Sequence, residues 1–145
     1  MVKAPVNGKV KTRLIDNIGE HHSTELYKRF LLDIVKKIEK INAPTIMYYT
    51  PEDELDNLIN LLGNSYTFVH QKGKDLGERL LNGFRYAEKL GYKSAIALAT
   101  DVPDLPNEII KGSVISVEKY GAVIGPSPDG GYYLLGLKTE FISEN

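Results

Sequence analysis

Apolar residues recur along this chain in two alternating periods. Positions 45–49, 66–70, 94–99, 121–125 and 132–137 are short runs rich in β-branched, aromatic or small apolar residues, and they read as strands. Positions 1–5 form a further, very short candidate strand. Between the runs, apolar residues repeat at helical spacing. Leu26, Phe30, Leu31, Ile34, Val35, Ile38 and Ile41 predict a helix over 23–41 with Ser23 as its N-cap. Pro51 and the acids Glu52, Asp53 and Glu54 open a second helix carrying Leu55, Leu58, Ile59 and Leu62, closed by Gly63 and Asn64. Asp75 and Glu78 suit a capping box ahead of Leu80, Leu81, Phe84, Ala87 and Leu90, with Gly91 as the stop. Pro106 begins a fourth helix, with Asp104 as its cap or first-turn acid and Ile109, Ile110, Ile115 and Val117 as its apolar face. This alternation predicts an α/β protein with a mostly parallel sheet between helical layers.

The run at 94–99 carries no charge and suits a strand buried on both faces. It is followed at once by Asp101, and Pro103 prevents the strand from continuing. A carboxylate at the carboxyl end of a buried strand needs compensation, which a divalent cation supplies, and open α/β sheets bind ligands at that edge. Asp101 therefore reads as a metal-binding carboxylate, a turn-forming acid being the plainer alternative.

Near the amino terminus, Gly8 is followed by Lys9, Lys11 and Arg13, with Thr12 between the last two. Flexible backbone beside clustered cations suits a polyphosphate. The Walker A spacing is absent, and on this segment alone a solvated basic turn is the simpler reading. Gln71, at the end of a predicted strand, has an amide able to meet a nucleobase edge as both donor and acceptor. Asp75 reads first as an N-cap. The paired glycines of Asp129-Gly130-Gly131 suggest backbone offered to a ligand, with a hairpin turn as the competing reading.

With 145 residues the chain is expected to form a single domain over 1–145. A net charge of −1 provides no global field toward nucleic acid or an anionic membrane, so neither is an expected partner. The chain has no cysteine, which excludes a disulfide scaffold and thiolate chemistry. No signal-peptide pattern or spanning-length apolar run is present, so a cytoplasmic location is the expectation.

Four motifs occur in order: Lys3-x-Pro5-x-x-Gly8-x-x-Lys11-Thr12-Arg13-Leu14; Gln71 with Asp75-Leu76-Gly77-x-Arg79-Leu80; Asp101-x-Pro103-x-Leu105; and Gly125-Pro126-x-x-Asp129-Gly130-Gly131-Tyr132-Tyr133. Together they resemble the glycosyltransferase-like family of the nucleotide-diphospho-sugar transferase superfamily (GT-A fold). That family includes a branch associated with arsenosugar biosynthesis. It is related to the phospholactate guanylyltransferases and the molybdenum-cofactor guanylyltransferases. The resemblance implies a nucleotide or nucleotide-sugar over the carboxyl edge of the sheet, together with a small-molecule acceptor. Lys3, Pro5, Gly8, Lys11 and Arg13 would line the phosphates, while Gln71, Asp75, Leu76 and Gly77 would approach base or ribose. Asp101 would hold Mg2+ or Mn2+, and Pro126, Asp129, Gly130 and Gly131 would face sugar or acceptor. No residue is marked as a catalytic base.

Members of the family extend beyond both ends of this chain. The resemblance therefore implies a domain trimmed at both ends or a natural short form, and an uncovered edge would invite self-association into a homo-oligomer. The expected function is metal-dependent glycosyl transfer from a nucleotide-sugar. The alternatives are nucleotidyl transfer with release of pyrophosphate and a catalytically silent nucleotide-binding module.

Overall fold

A computed structural model describes residues 1–142. The last three positions of the expected 1–145 domain lie outside the described residues. The backbone gathers into two compact units. The first comprises Met1–His70 with Thr100–Asp104, and the second comprises Gln71–Ala99 with the chain from Leu105 onward.

In the first unit, β1 (Val2–Lys3), β2 (Ile46–Thr50) and β3 (Thr67–His70) form a parallel sheet in that order. Val2 pairs with Tyr49 and Lys3 with Thr50, while Tyr49 pairs with His70, so the three strands end close together. The crossover helices are α1 (Ile15–Glu39) and α2 (Leu55–Leu62). Parallel neighbours require such crossovers, and the apolar faces of the helices close the core over the strands. Leu31, Ile34 and Leu58 are completely buried, with Val2, Tyr27, Met47, Tyr48 and Tyr49 nearly so.

Two expectations for α1 are corrected. The helix begins at Ile15 rather than Ser23, and Ser23 lies within it, fully buried and uncapping. Gly19 explains the difference: at φ 79° and ψ 162° it breaks the helix, so Ile15–Ile18 is a separate turn ahead of the main segment. The polar residues in this stretch hide that start from an apolar-periodicity reading.

In the second unit, β6 (Tyr132–Lys138) lies between β4 (Ser94–Leu98) and β5 (Ala122–Pro126), antiparallel to both. Among the described residues, the last strand in sequence is therefore the central one of this sheet. Helix α3 (Leu76–Lys89) packs against β4, and α4 (Asn107–Tyr120) packs against all three strands. The buried face of α3 is Leu80, Phe84 and Ala87, leaving Leu81 and Leu90 exposed. On α4 the buried stripe is Ile110, Ser113 and Val117, so Ile109 and Ile115 point outward instead of completing the expected apolar face. Asp104 does not cap α4, because the helix starts at Asn107 with Pro106 in the N-cap position.

Gly121 ends α4 at φ 86°, donating its N–H to Val117 O at 2.9 Å. The Phe141 ring lies directly over it, where a Cβ would come within 2.3 Å of a ring carbon. Gly91 has nearly the same φ, 85°, with open space around it. Gly91→Ala is expected to cost about 1–2 kcal/mol, the strain of an L-residue in the left-handed region. Gly121→Ala should cost at least about 1–3 kcal/mol more from overpacking. Denaturant unfolding of the two variants measures the difference, and equal losses would show that Phe141 yields freely.

Candidate functional site

The basic segment leaves the end of β1 and is folded tightly back on itself. Ala4 N–H donates to Thr50 O at 2.8 Å, prolonging the β1–β2 pairing, and Val6 N–H then turns back to Ala4 O at 2.8 Å. Val10 is buried and anchors the loop, while Lys9 and Arg13 are exposed. Thr12–Leu14 closes the loop with a single 3-10 turn, in which Leu14 N–H donates to Lys11 O at 2.9 Å. Gly8 has φ +72°, and a Cβ there would lie 3.1–3.2 Å from the carboxyl group of Glu20. Asn7 Nδ2 donates to Glu20 Oε2 at 3.3 Å, and Thr24 Oγ1 donates to Asn7 Oδ1 at 3.3 Å. The start of the main α1 segment thus latches the loop from below.

Lys11 is the centre of this arrangement. Its backbone is left-handed (φ 48°, ψ 41°), which is uncommon for a residue with a long side chain and is tolerated where the surroundings demand it. Its Nζ lies 5.2 Å from the centre of the Phe30 ring and 3.1 Å from Asp101 Oδ2. The Lys11 side chain is only 21% exposed, whereas that of Asp101 is 55% exposed. The structure therefore brings the basic loop and the acid after β4 into direct contact.

Tyr27 fixes the backbone beneath them. Its hydroxyl accepts the Lys3 N–H at 3.2 Å and lies 3.2 Å from Thr100 Oγ1, which in turn donates to Met1 O at 3.2 Å. With Thr100 donating onward, the Tyr27 hydroxyl donates to Thr100. Burial pushes the Tyr27 phenol above its ordinary pKa, so it remains a protonated donor. Lys3 and Pro5 lie on the same strand end, Lys3 exposed and Pro5 half-buried. Sequence reasoning missed Tyr27 and Thr100. The available signal was a tyrosine four residues before Leu31, in step with the buried residues of the helix.

The remaining candidates belong to the second unit. Gln71 is buried. Asp75 caps α3, accepting the Glu78 N–H at 2.8 Å, and Glu78 Oε2 accepts the Lys74 N–H at 2.9 Å, a capping box displaced by one residue. Arg79 Nε donates to Gly73 O at 3.0 Å and Asn82 Nδ2 to Lys72 O at 2.9 Å, so side chains of α3 hold the segment before it. Leu76 is exposed, and Gly77 packs beside the Asp75 carboxylate. Pro126, Asp129, Gly130 and Gly131 form the tip of the β5–β6 hairpin. There Ser127 N–H donates to Gly131 O at 2.8 Å, and Asp129 Oδ1 accepts the Gly131 N–H at 3.1 Å. Within this turn Gly130 takes a left-handed backbone at φ 87°.

If Asp75 serves α3 as its cap, Asp75→Ala should lower stability by about 1 kcal/mol, while Asp75→Asn, which still caps, should cost much less. Chemical denaturation of both variants decides this. Equal losses would mean that the carboxylate charge, rather than the cap, is what the protein needs.

Comparison with known proteins adds to this geometry. The 2-phospho-L-lactate guanylyltransferase of Methanocaldococcus jannaschii is 26% identical over 141 residues, covering 97% of this chain and 59% of its own. The same-named protein of Methanocaldococcus vulcanius is 26% identical over 137 residues, covering 94% of this chain and 59% of its own. The chain thus spans 59% of the length of these curated relatives. A solved structure from Desulfovibrio desulfuricans G20, described as a candidate nucleotide-diphospho-sugar transferase, is 35% identical and superposes with a TM-score of 0.92. That match covers 96% of this chain and 61% of the other, and it shows that the two share a fold. A family description matches residues 34–144, and the chain belongs to that family, "Uncharacterized protein conserved in bacteria (DUF2064)".

Proposed function

We propose that this chain carries the nucleotide-handling site of a metal-dependent transferase. The observation that carries the reading is the 3.1 Å pair between Lys11 Nζ and Asp101 Oδ2, which joins a folded basic loop to a carboxylate at the end of a strand. Lys11 and Arg13 bind a diphosphate through charge-assisted hydrogen bonds, and those bonds strengthen as negative charge builds on the departing group. Turning Lys11 toward phosphate frees Asp101.

Among the described residues there is no cluster of three or more His, Cys, Asp or Glu side chains able to hold a metal ion. A single exposed carboxylate nevertheless fits Mg2+ or Mn2+ bound together with substrate. Mg2+ in nucleotide sites keeps several waters and takes one or two carboxylates plus phosphate oxygens. Asp101 would be that carboxylate. The bound ion would supply Lewis-acid polarisation of the phosphoryl oxygens.

Nucleotidyl transfer is the reading the curated relatives favour, because both are guanylyltransferases. In it, an acceptor phosphate oxygen attacks the α-phosphorus of GTP, and the α–β bridging bond breaks to release pyrophosphate. Glycosyl transfer is the second reading, favoured by the description of the solved structure, and it would release a nucleoside diphosphate. Incubation with GTP, Mg2+ and a phosphorylated acid such as 2-phospho-L-lactate tests the first through pyrophosphate release. Incubation with GDP-sugars tests the second through GDP release.

The ion pair makes a sharper prediction. Lys11→Ala should weaken GDP by roughly tenfold or more through loss of a charge-assisted contact, yet strengthen binding of Mn2+ alone by exposing Asp101. Asp101→Asn should remove the Mn2+ dependence of nucleotide binding with little effect on melting temperature. Titration calorimetry on both variants reads these effects. Mn2+-dependent nucleotide affinity that survives in Asp101→Asn would overturn the role given to the carboxylate.

A further inference from the structure

We propose that Glu52 and His70 form a base-reading pair at the carboxyl edge of the parallel sheet, and that the base it selects is guanine. The proposal rests on the reading of Lys11 and Arg13 as a phosphate site. His70 is the last residue of β3, in register with Tyr49 of β2, and Glu52 follows two residues after the end of β2. Both stand on the edge from which β1 sends out the basic loop. Strand spacing places the end of β3 about 10 Å from that of β1, a separation a nucleoside bridges between its base and its phosphates.

His70 Nδ1 is buried, yet it makes no hydrogen bond, an uncommon state for a ring nitrogen. The nearest charged group is Glu52 Oε2 at 3.8 Å, too long for a hydrogen bond, and the Glu52 side chain is 76% exposed. The imidazole is held by aromatic packing. Its ring lies 5.8 Å from that of Tyr49, which meets Phe68 edge-on at 6.3 Å. The ring is therefore the fixed partner and the carboxylate the adjustable one. A small inward shift of Glu52 satisfies Nδ1–H with one oxygen and orients the carboxylate for a ligand. An ionised carboxylate only accepts hydrogen bonds, so it selects a base edge that presents donors. Guanine offers N1–H and the N2 amino group side by side, whereas adenine, cytosine and uracil offer no such adjacent pair. Glu52 is the specificity-determining group, and His70 is a positioning residue.

The test measures binding of GTP, ITP, ATP and inorganic pyrophosphate, each with Mg2+, to the unaltered protein and to E52Q, H70L and H70N. ITP keeps N1–H but lacks the N2 amino group, and Asn retains a donor close to the place of Nδ1. The unaltered protein should prefer GTP over ITP and ATP by roughly tenfold or more. E52Q and H70L should lose that preference, H70N should keep most of it, and pyrophosphate binding should stay constant in all four as the check on folding. A full GTP preference in E52Q, or equal loss in H70N and H70L, overturns the assignment. Pyrophosphate binding with no base preference in the unaltered protein overturns this pair while sparing the phosphate site. Failure to bind any of the four probes overturns both.

Discussion

One buried hydroxyl organises the first unit. A tyrosine placed in an apolar core brings a polar oxygen that must find partners. Tyr27 meets that requirement with the backbone of β1 on one side and Thr100 on the other. Its ring is part of the packing face of α1 with Leu31 and Ile34. Helix, first strand and the segment after β4 are thereby tied at one point, one residue before Asp101. A two-residue strand such as β1 has few ladder bonds to hold it in place, so this side-chain tie carries a large share of its positioning.

Stability alone gives little reason for the Lys11–Asp101 pair above that point. Exposed ion pairs contribute about 0–1 kcal/mol, while a left-handed backbone at a residue with a Cβ costs about 1–2 kcal/mol. The local balance is near zero or unfavourable. What the geometry achieves is orientation: the ammonium lies over the Phe30 ring, facing a carboxylate left largely open to solvent. Strain without structural benefit, next to exchangeable charges, is the pattern expected where a ligand supplies the missing energy.

The elements were legible in the sequence wherever burial is one-sided and periodic. The Leu80–Phe84–Ala87 face of α3 follows directly from spacing, as does the Asp75 cap. Legibility failed where a residue type carries two meanings. Ser23 looks like a cap but is a buried helix-interior residue behind the break at Gly19, and Ile115 looks like core but faces solvent. Strand direction was also hidden, because an apolar run does not encode it, and the antiparallel insertion of β6 follows from the tight β5–β6 turn. In the candidate site, Lys11 and Asp101 lie 90 positions apart, so their contact is a tertiary fact that only the joint order of motifs foreshadowed. Thr100 and the neighbourhood of His70 with Glu52 had no sequence signature. Each depends on which strand ends the parallel register aligns.

The central position of β6 has a consequence for how the chain is made. The parallel β1–β2–β3 sheet has all its strands once residue 70 has been synthesised. In the second sheet, by contrast, β4 and β5 meet only through a strand that ends at Lys138. Ala97 therefore waits for Leu135 as its partner, a long-range pairing that raises contact order and slows closure. During vectorial synthesis β4 emerges before its partner, and its apolar run stays open to wrong pairing until β6 has been made.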